Sequence, residues 1–149
     1  VHGGQGIHAV YAKQKKYRNK LHSKVILSGC TVTGTRAEAV LLENTVGFTI
    51  KNNLLITQAG KKKGIHAAGM SVQLYAVRGK TKQMANSVSG NVVYGVRYGM
   101  MIRSRTKCRY GRTKIVNNRN HVQITKKKAL QVKHCKVKKL KNNKAYLSA

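Results

Sequence analysis

The chain has 149 residues, with 31 Lys+Arg against only Glu38 and Glu43, for a formal charge of +29. That length suits one domain with one core, while the charge strains any compact state by self-repulsion and points to a polyanionic partner or to solubility. No Asp is present, no apolar run reaches the ~18 residues that a membrane-spanning helix needs, and 41% apolar content with regular alternation argues against a disordered chain.

The start, Val1-His2-Gly3-Gly4-Gln5-Gly6, has neither an initiator Met nor an apolar h-region and reads as a processed or trimmed chain without a signal peptide. Gly6-Ile7-His8-Ala9 then sets a first mould: small or polar, apolar, any, apolar. The polar run Lys13 to Lys20 follows and reads as an insertion. Leu27/Cys30/Val32 sets a second mould, an aliphatic residue, Cys or Asn three later, an aliphatic two beyond. Ala39-Val40-Leu41-Leu42 repeats the first. Val46 to Thr57, V-G-F-T-I-K-N-N-L-L-I-T, alternates as two short strands. Asn52-Asn53 bends the chain between them, since Asn tolerates left-handed backbone. Ile50/Asn53/Leu55 repeats the second mould here. After Lys61-Lys62-Lys63, Gly64-Ile65-His66-Ala67 returns to the opening pattern, and a second insertion is expected over Arg78 to Asn86. Val88/Asn91/Val93, Gly99-Met100-Met101-Ile102, Ile115/Asn118 (with Asn120 in place of the last aliphatic), His121-Val122-Gln123-Ile124, Val132/Cys135/Val137 and a final start at Lys144 complete the series.

Recurrence every ~20 to 35 residues is the mark of a solenoid, in which each unit buries its face against its neighbours. Units this short suit two or three strands with bends. An antiparallel β-sandwich would need N-G or D-G hairpin turns, and none occurs.

The pattern G-I-x-A followed by F-T-I-K-N-N-L-L-I resembles the right-handed parallel β-helix superfamily of pectate-lyase-like proteins and their carbohydrate-active relatives. The resemblance runs from Gly6 to about Leu147 and implies an all-β, right-handed parallel β-helix of about five to six coils, a single domain over 1–149. It also implies a ladder of stacked Asn side chains, Asn53, Asn91 and Asn118, with Cys30 and Cys135 at its ends. A secreted, virion or cell-surface location goes with it.

Such a coil sorts the charges. Expected inward positions are Ile7/Ala9, Val40/Leu42, Ile65/Ala67, Met100/Ile102, Val122/Ile124 and the Phe48/Ile50 pair. Cations fall at bends and outward positions: Lys61, Lys62, Lys63, Arg103, Arg105, Lys107, Arg109, Arg112, Lys114, Lys126, Lys127, Lys128, Lys133, Lys136, Lys138, Lys139 and Lys141, with Lys144 in the same dense last coil. These are the candidate polyanion-binding residues. Coils lie about 4.8 Å apart, so aligned Lys would form ladders of like charge that a polyanion or salt must neutralise.

Carbohydrate-cleaving relatives rely on carboxylates, as acid and base or as Ca²⁺ ligands. Glu38 and Glu43 read as surface residues, so no catalytic residue is assigned and the chain is expected to be non-enzymatic. A carboxylate-free lyase would have to draw on Tyr94, Tyr98, Tyr110, Arg97 and Arg103, which no spacing singles out. His8 and His66 hold matching outward places two coils apart, too far to share a metal, and read as surface histidines. His134-Cys135 points to opposite faces and makes a poor chelate. Three Cys without C-x-x-C exclude a zinc ribbon, and Cys108 between Lys107 and Arg109 reads as a reactive thiol. Nucleotide-binding glycine loops are absent, and no metal or cofactor is expected. Tyr11, Tyr17, Tyr75, Tyr94, Tyr98 and Tyr110 lie among cations and could stack on bases or sugar rings.

The expected function is a cationic β-solenoid scaffold, its exposed positions turned to Lys and Arg by design or by selection. It would bind nucleic acid, acidic polysaccharide or an acidic protein electrostatically. The alternatives are an enzyme or inactive remnant acting on acidic polysaccharide, and a fibre or spike segment associating end to end through open strand edges.

Overall fold

A computed structural model describes residues 6–10, 25–43, 45, 47–58, 68–74 and 85–148. The strands are β1 Ile7–Val10, β2 Ile26–Ser28, β3 Thr31–Thr35, β4 Val40–Glu43, β5 Thr49–Lys51, β6 Leu54–Thr57, β7 Ala68–Leu74, β8 Ala85–Ser89, β9 Val92–Gly95, β10 Tyr98–Val116, β11 Arg119–Val122, β12 Leu130–Lys141 and β13 Lys144–Leu147. A 3-10 turn, Lys126–Lys128, precedes β12. Every strand pairing is parallel. The chain therefore winds as a parallel β-helix of about five coils.

Three faces result. The first stacks β1, β4, β7 and the starts of β10 and β12; the second stacks β2, β5, β8 and the ends of β10 and β12; the third stacks β3, β6, β9, β11 and β13. In the last two coils one continuous strand rounds the corner between the first two faces, so β10 and β12 each serve both.

Register places like side chains above one another. On the first face the inward rows are Ile7–Val40–Met70–Met100–Leu130 and Ala9–Leu42–Val72–Ile102–Val132. The second face supplies Leu27–Ile50–Val88–Ile115–Leu140. Phe48 closes the core with them and is fully buried. Alternation along each strand is what puts these residues inside and the polar ones out.

The bends between the second and third faces follow one rule. A residue with positive φ, Gly29 (65°), Asn52 (54°), Gly90 (66°), Asn117 (57°) or Asn142 (55°), precedes Cys30, Asn53, Asn91, Asn118 or Asn143. Gly and Asn are the residues that reach this left-handed region at low cost. Turning there swings the next side chain inward, where it forms a ladder. Asn53, Asn91 and Asn118 each donate through Nδ2 to the Oδ1 of the next rung, at 3.0, 2.9 and 2.9 Å. Each also donates to a carbonyl of the coil before, and Asn143 donates to the Ile115 carbonyl at 2.8 Å.

Several expectations are corrected. Asn143, not Cys135, is the last rung; Cys135 lies in β12 as the register partner of Cys108. Cys30 does close the other end, its backbone N–H donating to Asn53 Oδ1 at 2.9 Å. His121–Ile124 and Lys144 do not continue the first-face series, which runs through Met70, Met100 and Leu130; they belong to the third face, and Ile124 is 51% exposed. Gly64–Ala67 and Lys13–Lys20 lie outside the described residues, as do 78–84 of the second expected insertion. Asn86, at its end, sits buried in β8 and accepts from the Phe48 N–H at 3.2 Å.

Asn120 interrupts the inward row of the third face, between Val93 and Ala145. It is 1% exposed, and among the described residues its Oδ1 has no hydrogen-bond partner. An unsatisfied buried amide oxygen costs about 1–3 kcal/mol. Asn120→Val, which restores the aliphatic row, is expected to stabilise the fold by about 1 kcal/mol in chemical unfolding.

Candidate polyanion interface

The fourth and fifth coils bring the candidate cations together. Arg103 lies over Lys133 on the first face, Lys114 over Lys139 on the second, and Arg119 over Lys144 on the third. At the corner between the first two, Arg109 is the backbone register partner of Lys136. Cross-strand partners of this kind are about 5 Å apart. In the coil before, the matching positions are neutral: Gln73 stands where Arg103 does, Ser87 where Lys114 does, Val92 where Arg119 does. Among the described residues the like-charge pairs all join the fourth and fifth coils.

Lys114, Lys126, Lys127, Lys128, Lys133, Lys136, Lys138, Lys139, Lys141 and Lys144 are all exposed, and Arg103 is half-buried with its Nη2 donating to Gln73 Oε1 at 3.4 Å. Arg105, Lys107 and Arg112 are placed along β10 by its backbone. Lys61, Lys62 and Lys63 lie outside the described residues. Arg119 was not among the expected site residues; only the register of β11 against β13 reveals that it joins the cationic end.

Neither carboxylate can neutralise these rows. Glu38 is fully buried and Glu43 is 9% exposed, which corrects their reading as surface residues. Glu43 Oε2 lies 2.8 Å from His8 Nε2 across the first face, so His8 is engaged with a carboxylate on the neighbouring strand. His66 lies outside the described residues. Tyr98, one of the residues considered for a carboxylate-free lyase, is 7% exposed and packs with Ala68 and Met101. Among the described residues no three His, Cys, Asp or Glu come together.

A column of rings stands on the third face. The rings of Tyr94 and His121 have centroids 4.2 Å apart and planes within 9°; those of His121 and Tyr146 are 4.7 Å apart and within 16°. Strand register builds it, since Tyr94, His121 and Tyr146 are successive partners in β9, β11 and β13. Of these only Tyr94 was anticipated, because His121 and Tyr146 share no local motif with it. His121 Nδ1 also lies 3.1 Å from Ser148 Oγ.

Burial, and after it the nearby Arg119 charge, hold the His121 pKa below its ordinary 6.5. The unfolded chain therefore takes up a proton that the folded chain refuses. The corresponding stability is present above about pH 6.5 and lost as pH falls towards the folded value. The unfolding midpoint is expected to fall on acidification through this window, and His121→Phe, which keeps a stacked ring, should remove that part of the slope.

Comparison of the chain with protein-family models, with curated proteins and with solved structures returns no match, and the architecture rests on the strand register itself.

Proposed function

We propose that this chain is a non-enzymatic cationic β-solenoid that binds polyanions electrostatically and without sequence specificity. The scaffold is of the pectate-lyase-like kind, on the strength of its G-I-x-A and F-T-I-K-N-N-L-L-I segments and its Asn bends. The observation that carries the function is the stacking of Arg103/Lys133, Lys114/Lys139 and Arg119/Lys144 on three faces of one end. Like charges directly opposite each other oppose strand pairing, and with both carboxylates buried no acid on the exposed surface answers them. Phosphates, sulfates or carboxylates on a polymer would, with release of the counterions that had condensed on the polymer.

Retention on heparin and on DNA, followed across a salt gradient, tests this. Tight retention at low salt that collapses towards 0.5 M, with no base preference, is the expected outcome. Passage through both columns at low salt would sink the proposal.

A further inference from the structure

Three rows of different chemistry run side by side over the outer face of β9, β11 and β13. Arg119 and Lys144 stack in the first. Tyr94, His121 and Tyr146 stack in the second. Beyond the strand ends, Gln123 and Ser148, with Thr57 and Gln58 of an earlier coil, edge a cleft of about 390 Å³ that the Tyr94 and His121 rings also line. Among the described residues, no Lys, Arg or Glu lines this cleft, although the chain carries 31 cations. Arg119 and His121 are two positions apart in β11, so the cation and ring rows are about 6.6 Å apart on one face.

A ligand matching all three rows carries charge along one side and an uncharged, flat, hydrogen-bonding group along the other. A duplex turns its base faces inward and would use the cations alone. A uronate or sulfated polymer bears its charge on the sugar ring itself and would carry that charge into a cleft whose described lining holds no cation. An unpaired nucleotide strand fits: phosphates to one side, bases to the other. The column of Tyr94, His121 and Tyr146 lies beside the cation row and gives bases an aromatic surface to pack against.

We propose that this face binds single-stranded nucleic acid, with phosphates on Arg119 and Lys144, bases packed against the ring column that includes Tyr146, and base edges met by the amides of Gln58 and Gln123. This rests on the polyanion reading above and narrows it to one polymer. Every base has a π-face, so the contact selects unpaired strands without selecting sequence.

The test measures binding of the full chain to four probes at matched salt: a mixed-sequence single strand, the same strand with abasic sites, a duplex of equal length, and a polyuronate. Tyr146→Ala is expected to weaken the single strand by roughly 5- to 100-fold. It should leave the duplex and the abasic strand within twofold and the salt slope unchanged, and unchanged duplex binding doubles as the check that the variant is folded. Arg119→Gln with Lys144→Gln should weaken all four probes and flatten the salt slope by roughly 1.4 on the single strand. Tyr146→Phe should bind like the parent. Equal binding of abasic and intact strands, with Tyr146→Ala affecting neither, would overturn this inference and leave the polyanion reading standing. A Tyr146→Ala loss as large on polyuronate as on the single strand would reassign the face to saccharides. Failure to bind any probe at low salt would overturn the broader reading as well.

Discussion

Replacing Lys114, Lys133, Lys139 and Lys144 together by Gln should cut the salt dependence of DNA binding by roughly 4 units of log–log slope. Each phosphate neutralised on B-DNA contributes about 0.9 to that slope. These four positions are one partner from each of two stacked pairs, Arg103/Lys133 and Arg119/Lys144, and both partners of the Lys114/Lys139 pair. A parent protein making about 6–10 such contacts would lose roughly 10³–10⁵ in affinity between 50 and 200 mM salt. The variant should lose about 10²-fold less over the same range. Removing like charges from directly opposed positions also relieves repulsion, so the variant should unfold no more readily than the parent at low salt. That combination separates this mechanism from simple damage. A control of equal charge change in an earlier coil, including Lys51, should alter the slope less. Equal effects from both variants would mean that binding is spread over the whole surface instead of concentrated at one end.

Asn91→Ala should cost about 4 kcal/mol, the largest loss expected from any single change outside the aliphatic core. Its Oδ1 accepts from the Asn53 N–H and from Asn53 Nδ2, both at 3.0 Å, while its Nδ2 donates to the Ile50 carbonyl and to Asn118 Oδ1, both at 2.9 Å. All of these groups are buried, with Asn91 itself at 0% exposure. Alanine would strand a backbone N–H, a backbone carbonyl and parts of two side-chain amides, each at about 1–3 kcal/mol before relaxation. Domains of this size hold about 5–15 kcal/mol in total. Asn143→Ala, at a half-buried rung, should cost less, and Asn52→Gly, which keeps the left-handed backbone, should be close to neutral. Denaturant unfolding at constant m-value measures all three. A loss below about 1.5 kcal/mol for Asn91→Ala would mean that water takes over the ladder's bonds.

The architecture was legible because two local rules repeat. Ile50/Asn53/Leu55 and Val88/Asn91/Val93 each spell strand, bend and strand within a few residues, and the coil follows from stacking them. The errors came where the same local rule serves a different corner. Val132/Cys135/Val137 has the spacing of another rung, and His134 before Cys135 does take the same positive φ, 57°, as the ladder bends. Its bend, however, lies within β12, between the first and second faces, and the true rung is Leu140 followed by Asn143. Likewise His121-Val122-Gln123-Ile124 fits the apolar alternation of the first face but stacks on the third, since alternation fixes which way a side chain points and not which sheet it joins. The buried carboxylates escaped for a related reason: Glu43 faces outward, as alternation says, yet the outer side of the first face is itself covered there.

The cationic candidates were legible individually and their pairing was not. Lys114 and Lys139 lie 25 residues apart, the same offset that separates Asn118 from Asn143, and the offset at other coils is 23, 27 or 38. Without the register, no reading of the string could tell which Lys sits over which, or bring Tyr94, His121 and Tyr146 into one column.

Among the described residues β12 is paired along one edge, by β10. The coil carrying the densest charge is thus held there by a single described neighbour, and like charge presses from that neighbour. Protection against hydrogen exchange should accordingly be lowest there in dilute buffer and climb when a polyanion arrives, while the first three coils stay unchanged. A ligand on this protein would then act as a clasp, tightening the very turn it grips.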